Sequence, residues 1–252
     1  MSSLQTTNLY GGYENHPVFK HLDLQLPEGK FLALTGPNGS GKSTLLKFFY
    51  KELTPDKGAI YINDLDIHTL SQKNLARRLG FVPQNGHIEY GFTVQEAVSM
   101  GRYAYGGKDE NHQVEQAMED CDIRDLANER VTEISGGELQ RVFLARALCQ
   151  NGNILLLDEP VNHLDVKHQR TMMTLLKRLV EKNMSVVCVL HDLLLVQVYS
   201  DEVILLKKGN IYAQGATQKV ICQETLRDVY KIESHQVYDA TLNKTLWMPT
   251  WC

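Results

Sequence analysis

Gly36-Pro37-Asn38-Gly39-Ser40-Gly41-Lys42-Ser43 follows the spacing G-x-x-x-x-G-K-[ST], a set of residue types suited to gripping a chain of phosphates. Glycines let successive backbone N–H groups turn toward one anion without side-chain clash. A helix starting at the end of such a loop adds its positive dipole end and its unpaired donors. Lys42 then offers a mobile charge to the β- and γ-phosphates, and the Ser43 hydroxyl can serve a magnesium ion. The competing explanation is a plain glycine turn, and the complete spacing between a strand and a helix weighs against it.

Two acids end the apolar run Ile154-Leu155-Leu156-Leu157-Asp158-Glu159. A carboxylate at the C-terminal end of a parallel strand faces the same crevice as a phosphate loop. Asp158 suits Mg²⁺, which takes hard oxygen ligands and keeps several waters. Glu159 suits the polarising of an attacking water. Alone, such an acid pair is more often a helix cap or a solvated turn; beside the cradle, the chemical reading prevails. Ser135-Gly136-Gly137-Glu138 opens a further helix that carries Leu139, Val142 and Phe143 on one face. Ser135 and Glu138 have the spacing of a capping box. Two adjacent glycines exceed what a cap needs, and the same start presents a hydroxyl and N–H donors to an anion.

The elements that position these residues follow from hydrophobic period. Phe31–Thr35 reads as a buried strand, and Leu45, Leu46, Phe49 and Leu53 recur at helical spacing after it. Ile154–Leu157 and Ser185–Leu190 read as strands covered on both faces, with a helix bearing Met172, Met173, Leu176, Leu179 and Val180 between them. A helix near Leu193–Tyr199 and a strand at Glu202–Leu206 continue the alternation, which implies a mainly parallel sheet in an α/β fold. Two stretches break the rhythm. About Leu4–Leu26 alternates like antiparallel strands, and about Gly86–Gly152 is mostly helical, with Val94–Met100, Val114–Cys121 and Leu139–Leu148 as helices.

Composition narrows the function classes. The chain has 252 residues, 43% hydrophobic and 22% charged, the balance of an ordinary globular protein. A formal net charge of −4 argues against a free-standing nucleic-acid binder. No apolar run approaches the ~20 residues of a membrane span. Met1-Ser2-Ser3-Leu4-Gln5 lacks the basic and apolar regions of a secretion signal, so a cytosolic location is expected. Five cysteines, Cys121, Cys149, Cys188, Cys222 and Cys252, form no C-x-x-C pair and read as free thiols.

Taken together, Gly36–Thr44, Ser135–Arg141 and Leu155-Leu-Leu-Asp-Glu-Pro160 resemble the motifs of ATP-binding cassette (ABC) ATPases in order and approximate spacing. Gln84 in Phe81-Val-Pro-Gln84 and His191 in Val189-Leu-His-Asp192 belong to the same resemblance, which spans nearly the whole chain. It implies a P-loop NTPase core with an N-terminal antiparallel β subdomain and an inserted α-helical subdomain. The core and β subdomain would take 1–85 and 152–225, the helical subdomain 86–151, and a short C-terminal extension 226–252.

The resemblance implies further that two copies pack head to tail around ATP and Mg²⁺. Gly36, Asn38, Gly39, Ser40, Gly41, Lys42, Ser43 and Thr44 would cradle the nucleotide in one copy, with Ser43, Gln84 and Asp158 serving the metal. Ser135, Gly136 and Gly137 of the other copy would reach its γ-phosphate. Glu159 resembles the catalytic base, His191 the switch histidine, Tyr13 the aromatic that stacks on adenine, and Asp165 lies in the loop that crosses the dimer interface. Departures are modest: Ile134 and Glu138 stand where Leu and Gln are commoner, and Asn162 stands where a small hydroxyl residue is usual. His163 reads as a solvent-facing residue.

Gly91–Tyr103, ending Gly-Arg-Tyr, is similar to the segment that receives the membrane subunit's coupling helix in importers of iron-siderophore, haem and cobalamin complexes. Tyr230–Pro249 resembles the short tail of that group. The expectation is an energy-coupling ATPase on the cytoplasmic face of the inner membrane. Its partners would be integral permease subunits and, indirectly, an external substrate-binding protein, with no nucleic acid. A soluble cassette such as an iron–sulfur cluster assembly ATPase is the alternative.

Overall fold

A computed structural model describes residues 2–14, 16–84, 86, 88, 91–106 and 111–250. Met1, Asn85 and Cys252, which bound the expected segments, lie outside the described residues.

The alternation near the N-terminus becomes β1 (Ser2–Tyr13) and β2 (His16–Pro27), paired antiparallel from Ser2–Pro27 to Tyr13–His16. Phe19, Leu22, Leu24 and Leu26 all point inward from β2, so one face of the ribbon is apolar. After β3 (Phe31–Thr35) and α1 (Lys42–Phe49), the chain returns as β4 (Lys57–Ile62) and β5 (Leu65–Asp66) to complete the sheet β2-β1-β4-β5.

The second sheet holds the core. A short α2 (Gln72–Ala76) leads to β6 (Leu79–Val82). The helical stretch follows as α3 (Val94–Ser99), α4 (Asn111–Asp120) and α5 (Gly136–Leu148). Next come β7 (Ile154–Leu157), α6 (Val166–Glu181), β8 (Ser185–Val189), α7 (Leu193–Tyr199), β9 (Glu202–Lys207) and β10 (Asn210–Ala216). The strand order is β10-β9-β3-β8-β7-β6, parallel except where β10 runs antiparallel on β9. A separate hairpin, β11 (Ser234–Asp239) and β12 (Lys244–Pro249), ends the described chain.

Residue alternation sorts the sheet's two faces. Phe31, Ala33, Leu155 and Leu157 pack with the apolar faces of α3, α4, α5 and α6. Leu32, Leu34, Ile154 and Leu156 pack with Leu45, Phe48 and Phe49 of α1 and with the inward face of the antiparallel sheet. Strands covered on both faces lose the polar alternation that marks β2, which is why β3, β7 and β8 read as continuous apolar runs. With β8 and β9 flanking β3, and β7 beside β8, the C-terminal ends of β3, β7 and β8 share one edge of the sheet. The residues following those three ends are Gly36, Asp158 and Leu190-His191.

Among the described residues no helix is long and apolar enough to cross a membrane. Among the described residues, Cys121, Cys188 and Cys222 are free thiols. Burial pushes the Cys121 and Cys188 thiols well above their usual range.

Candidate active site

The loop after β3 is held by steric necessity at its first residue. Gly36 has φ 145°, and a Cβ there would lie 2.2 Å from the Leu206 carbonyl oxygen of β9 and 2.9 Å from Ser40 Oγ. Gly41, the N-cap of α1, supplies no side-chain cap, so side chains leave the first N–H groups of that helix free. Ser40 Oγ is buried without a partner. Lys42, only 5% exposed, folds back over the loop and donates to the carbonyl oxygens of Gly36 (2.9 Å) and Pro37 (3.1 Å). Burial lowers its pKa, against an opposing pull from Glu159 and Asp158.

An orphaned buried hydroxyl, an uncapped helix start and a cation make a surplus of donors, and a phosphate chain is the acceptor that such a surplus fits. The donor set beside it fits magnesium. Ser43 Oγ donates to Asp158 Oδ1 at 3.0 Å, two hard oxygens side by side. Burial raises the Asp158 carboxyl above its usual range, and the neighbouring Glu159 adds to the rise. A divalent cation there would relieve both effects.

Glu159 is the convergence point. Its backbone sits at φ 51°, in the left-handed region, which turns the carboxylate out of the strand direction. Gln84 Nε2 donates to Oε2 at 2.7 Å, and His191 Nε2 lies 2.5 Å from Oε1. An ionised carboxylate only accepts, so His191 donates with its proton on Nε2. Asn162 Nδ2 also donates to Oε2. Sequence reading had noted Asn162 only as a departure; its place three residues beyond Glu159, in the same turn, was the signal that it could reach back.

Ser135, Gly136, Gly137 and Asp165 form a second cluster. Ser135 caps α5, its backbone N–H and hydroxyl both donating to Glu138 Oε2, at 2.8 and 2.7 Å. The Glu138 carboxyl is held below its usual range by these Ser135 bonds. Asp165 caps α6 through the His168 N–H at 2.8 Å and lies 2.8 Å from His168 Nδ1. A Cβ at Gly137 would lie 2.8 Å from the His168 ring, so the starts of α5 and α6 touch. Among the described residues no hydrogen bond ties this cluster to Lys42, Asp158 or Glu159 of the same chain. Tyr13 stands apart again, 48% exposed beside an open cavity of about 620 Å³, with Lys47 Nζ of α1 5.6 Å from its ring centre. His163 is exposed, with φ 63°.

The ABC transporter family profile matches residues 19–162, a span that contains the phosphate loop, Gln84, Ser135–Gly137, Asp158 and Glu159. The chain belongs to the ABC transporter family. It is 36% identical over 251 residues to the iron(3+)-hydroxamate import ATP-binding protein of Bacillus subtilis (strain 168), covering 97% of this chain and 93% of that one. A metal-chelate type ABC transporter solved in an inward-facing conformation matches with TM-score 0.85 and 28% identity, over 100% of this chain and 98% of that one. A dimeric ATP-binding cassette in a post-hydrolysis state, bound to ADP and Pi, matches with TM-score 0.75 and 29% identity, over 85% and 98%. The cassette is thus an α/β P-loop NTPase and an ATPase, as expected from its motifs.

Proposed function

We propose that this cassette energises the uptake of a metal chelate, an iron-siderophore, haem or cobalamin complex, through a separate permease. It would act peripherally on the cytoplasmic face of the inner membrane, with an external binding protein delivering the cargo. The near full-length likeness to an import ATP-binding protein supports this over the soluble cluster-assembly alternative.

The chemistry rests on the three side chains that meet at Glu159. Lys42 leaves the loop carbonyls for the β- and γ-phosphates of ATP, and the backbone of Gly36–Thr44 wraps them. Ser43, Asp158 and Gln84 would hold Mg²⁺, which would neutralise charge on the phosphates. Glu159 accepts the proton of the attacking water, while His191, Gln84 and Asn162 fix its orientation. The second cluster, Ser135–Gly137 with Asp165, faces the γ-phosphate held by another copy, and Tyr13 lies against the adenine. The helical stretch 86–151 then works as the subdomain that carries Ser135–Gly137, with Asp165 supplied by the core.

The permease contact falls on the segment Met100–Tyr105. Arg102 is 6% exposed, donates to the Cys149 carbonyl at 2.8 Å and stacks 3.7 Å from the Tyr105 ring centre. This anchor leaves Met100 40% and Tyr103 78% exposed, beside a groove of about 320 Å³ lined by Tyr50, Leu75 and Phe81. Apolar side chains presented by a buried cation suit a partner helix. Purification from solubilised membranes tests the assignment. Recovery with a polytopic protein, lost on Tyr103→Asp, is expected; recovery with soluble scaffold proteins alone would refute it. For the chemistry, Glu159→Gln should bind ATP, dimerise and turn over slowly, and a turnover like that of the unaltered protein would remove Glu159 as the base.

A further inference from the structure

The junction between β3 and the phosphate loop is gripped from far along the chain. Tyr230 closes a single π-turn, Leu226–Tyr230, whose Leu226 and Val229 are buried. Its phenol oxygen lies 2.9 Å from Thr35 Oγ1, a contact between residues 195 positions apart. The turn is itself fixed to the sheet, since Lys207 Nζ of β9 donates to the Asp228 carbonyl at 2.9 Å and Tyr212 of β10 donates to the Asp228 carboxylate at 2.9 Å.

The Thr35–Gly36 junction is therefore held twice, at Thr35 by Tyr230 and at the Gly36 carbonyl by Lys42. The second hold is temporary, because Lys42 has three N–H donors and cannot keep both loop carbonyls while reaching both the β- and γ-phosphates. Thr35 is fully buried and paired with Leu205 of β9, and Gly36 packs against the Leu206 carbonyl oxygen, so the Tyr230 hydroxyl adds a side-chain contact to a junction already seated on β9. A hydroxyl on a turn anchored to the neighbouring strands β9 and β10 supplies a hold that survives the lysine's departure.

We propose that Tyr230 is a positioning residue of the nucleotide site, keeping Thr35–Gly36 in the phosphate-binding geometry while Lys42 moves from the loop carbonyls to the nucleotide. The inference rests on Gly36–Thr44 being the nucleotide cradle. Without the phenol oxygen the free loop samples other arrangements, and binding must gather them again.

The test uses the full chain, with MgATP affinity measured by calorimetry and thermal unfolding measured without nucleotide. Tyr230→Phe keeps the ring and its packing and removes only the oxygen. Its Kd for MgATP should rise about three- to tenfold, the range of one lost hydrogen bond, with the unfolding midpoint within about 2 °C of the unaltered protein. Thr35→Val should act similarly, and the double variant should bind no worse than the weaker single one, because both remove the same contact. A Kd within twofold for Tyr230→Phe would overturn the proposal. So would a loss of affinity accompanied by a larger fall in midpoint, or multiplicative effects in the double variant. Lys42→Ala separates the two levels. If it binds MgATP as tightly as the unaltered protein, the cradle itself is misassigned; if it binds weakly while Tyr230→Phe binds normally, only the role of Tyr230 fails.

Discussion

Gly36→Ala should damage this protein far more than Gly39→Ala, although both glycines lie in one loop. At Gly36 the added methyl carbon would sit 2.2 Å from the Leu206 carbonyl oxygen, a backbone atom of β9, and 2.9 Å from Ser40 Oγ. Ser40 can rotate, but β9 is a paired interior strand and must shift by about 1 Å to restore van der Waals contact. Overpacking of that kind costs about 1–3 kcal/mol. The positive φ of 145° adds about 1–2 kcal/mol for a residue with a Cβ. At Gly39 only the second cost applies, because φ is 74° and nothing lies within 4 Å of the added carbon. For a chain of this size each kcal/mol moves the unfolding midpoint by roughly 2–4 °C. Gly36→Ala should therefore lower the midpoint by about 4–20 °C and Gly39→Ala by about 2–8 °C. Differential scanning calorimetry of the two variants checks this. Equal midpoints for both, or a Gly36→Ala protein as stable as the parent, would refute the account of the loop as sterically clamped against β9.

Ser43→Ala removes the hydroxyl that faces Asp158 at 3.0 Å. Steady-state ATPase assays should show at least a roughly tenfold fall in rate, with more magnesium needed for half-maximal activity; an unchanged magnesium dependence would remove Ser43 from the metal site. A third prediction concerns acid. Burial pushes the Asp201 carboxyl up, but Lys177 at 2.7 Å and the Phe31 N–H at 2.8 Å outweigh it and hold the carboxyl below its usual range. A depressed folded-state pKa stabilises fully above the unfolded value of about 4 and loses that contribution as pH falls through the folded value. Asp201→Asn should therefore unfold a few degrees below the parent at pH 7, with the gap closing below about pH 4; a gap independent of pH would show that the charge is not what matters.

What could be read in advance depended on how local each feature is. The phosphate loop, the capping box at Ser135 and the strand ending in Asp158 are short-range patterns, visible within a few residues. α5 begins at Gly136 rather than Leu139 because Ser135 and Glu138 define its first turn. β6 went unread, being only Leu79-Gly80-Phe81-Val82, with a glycine inside. The β11–β12 hairpin carries no apolar alternation, since His235, Gln236, Val237 and Tyr238 are all exposed. It is held from outside by Gln197, whose amide accepts from the Trp247 N–H at 2.7 Å and donates to its carbonyl at 3.0 Å. The convergence on Glu159 and the reach of Tyr230 to Thr35 depend on strand order, which no local pattern encodes.

The capping box at Ser135 also bears on how the proposed pair tells ions apart. Glu138 gives the start of α5 a resident anion, bonded to the Ser135 backbone N–H and to the Ser135 hydroxyl proposed above to meet a γ-phosphate. Assembly then becomes ligand exchange, in which an incoming oxyanion must outcompete a tethered carboxylate. Weakly held inorganic phosphate or sulfate has no second set of donors to help it do so. A triphosphate already clasped by Lys42 on the opposite copy does, and that difference makes the threshold for closing the pair a filter for intact fuel.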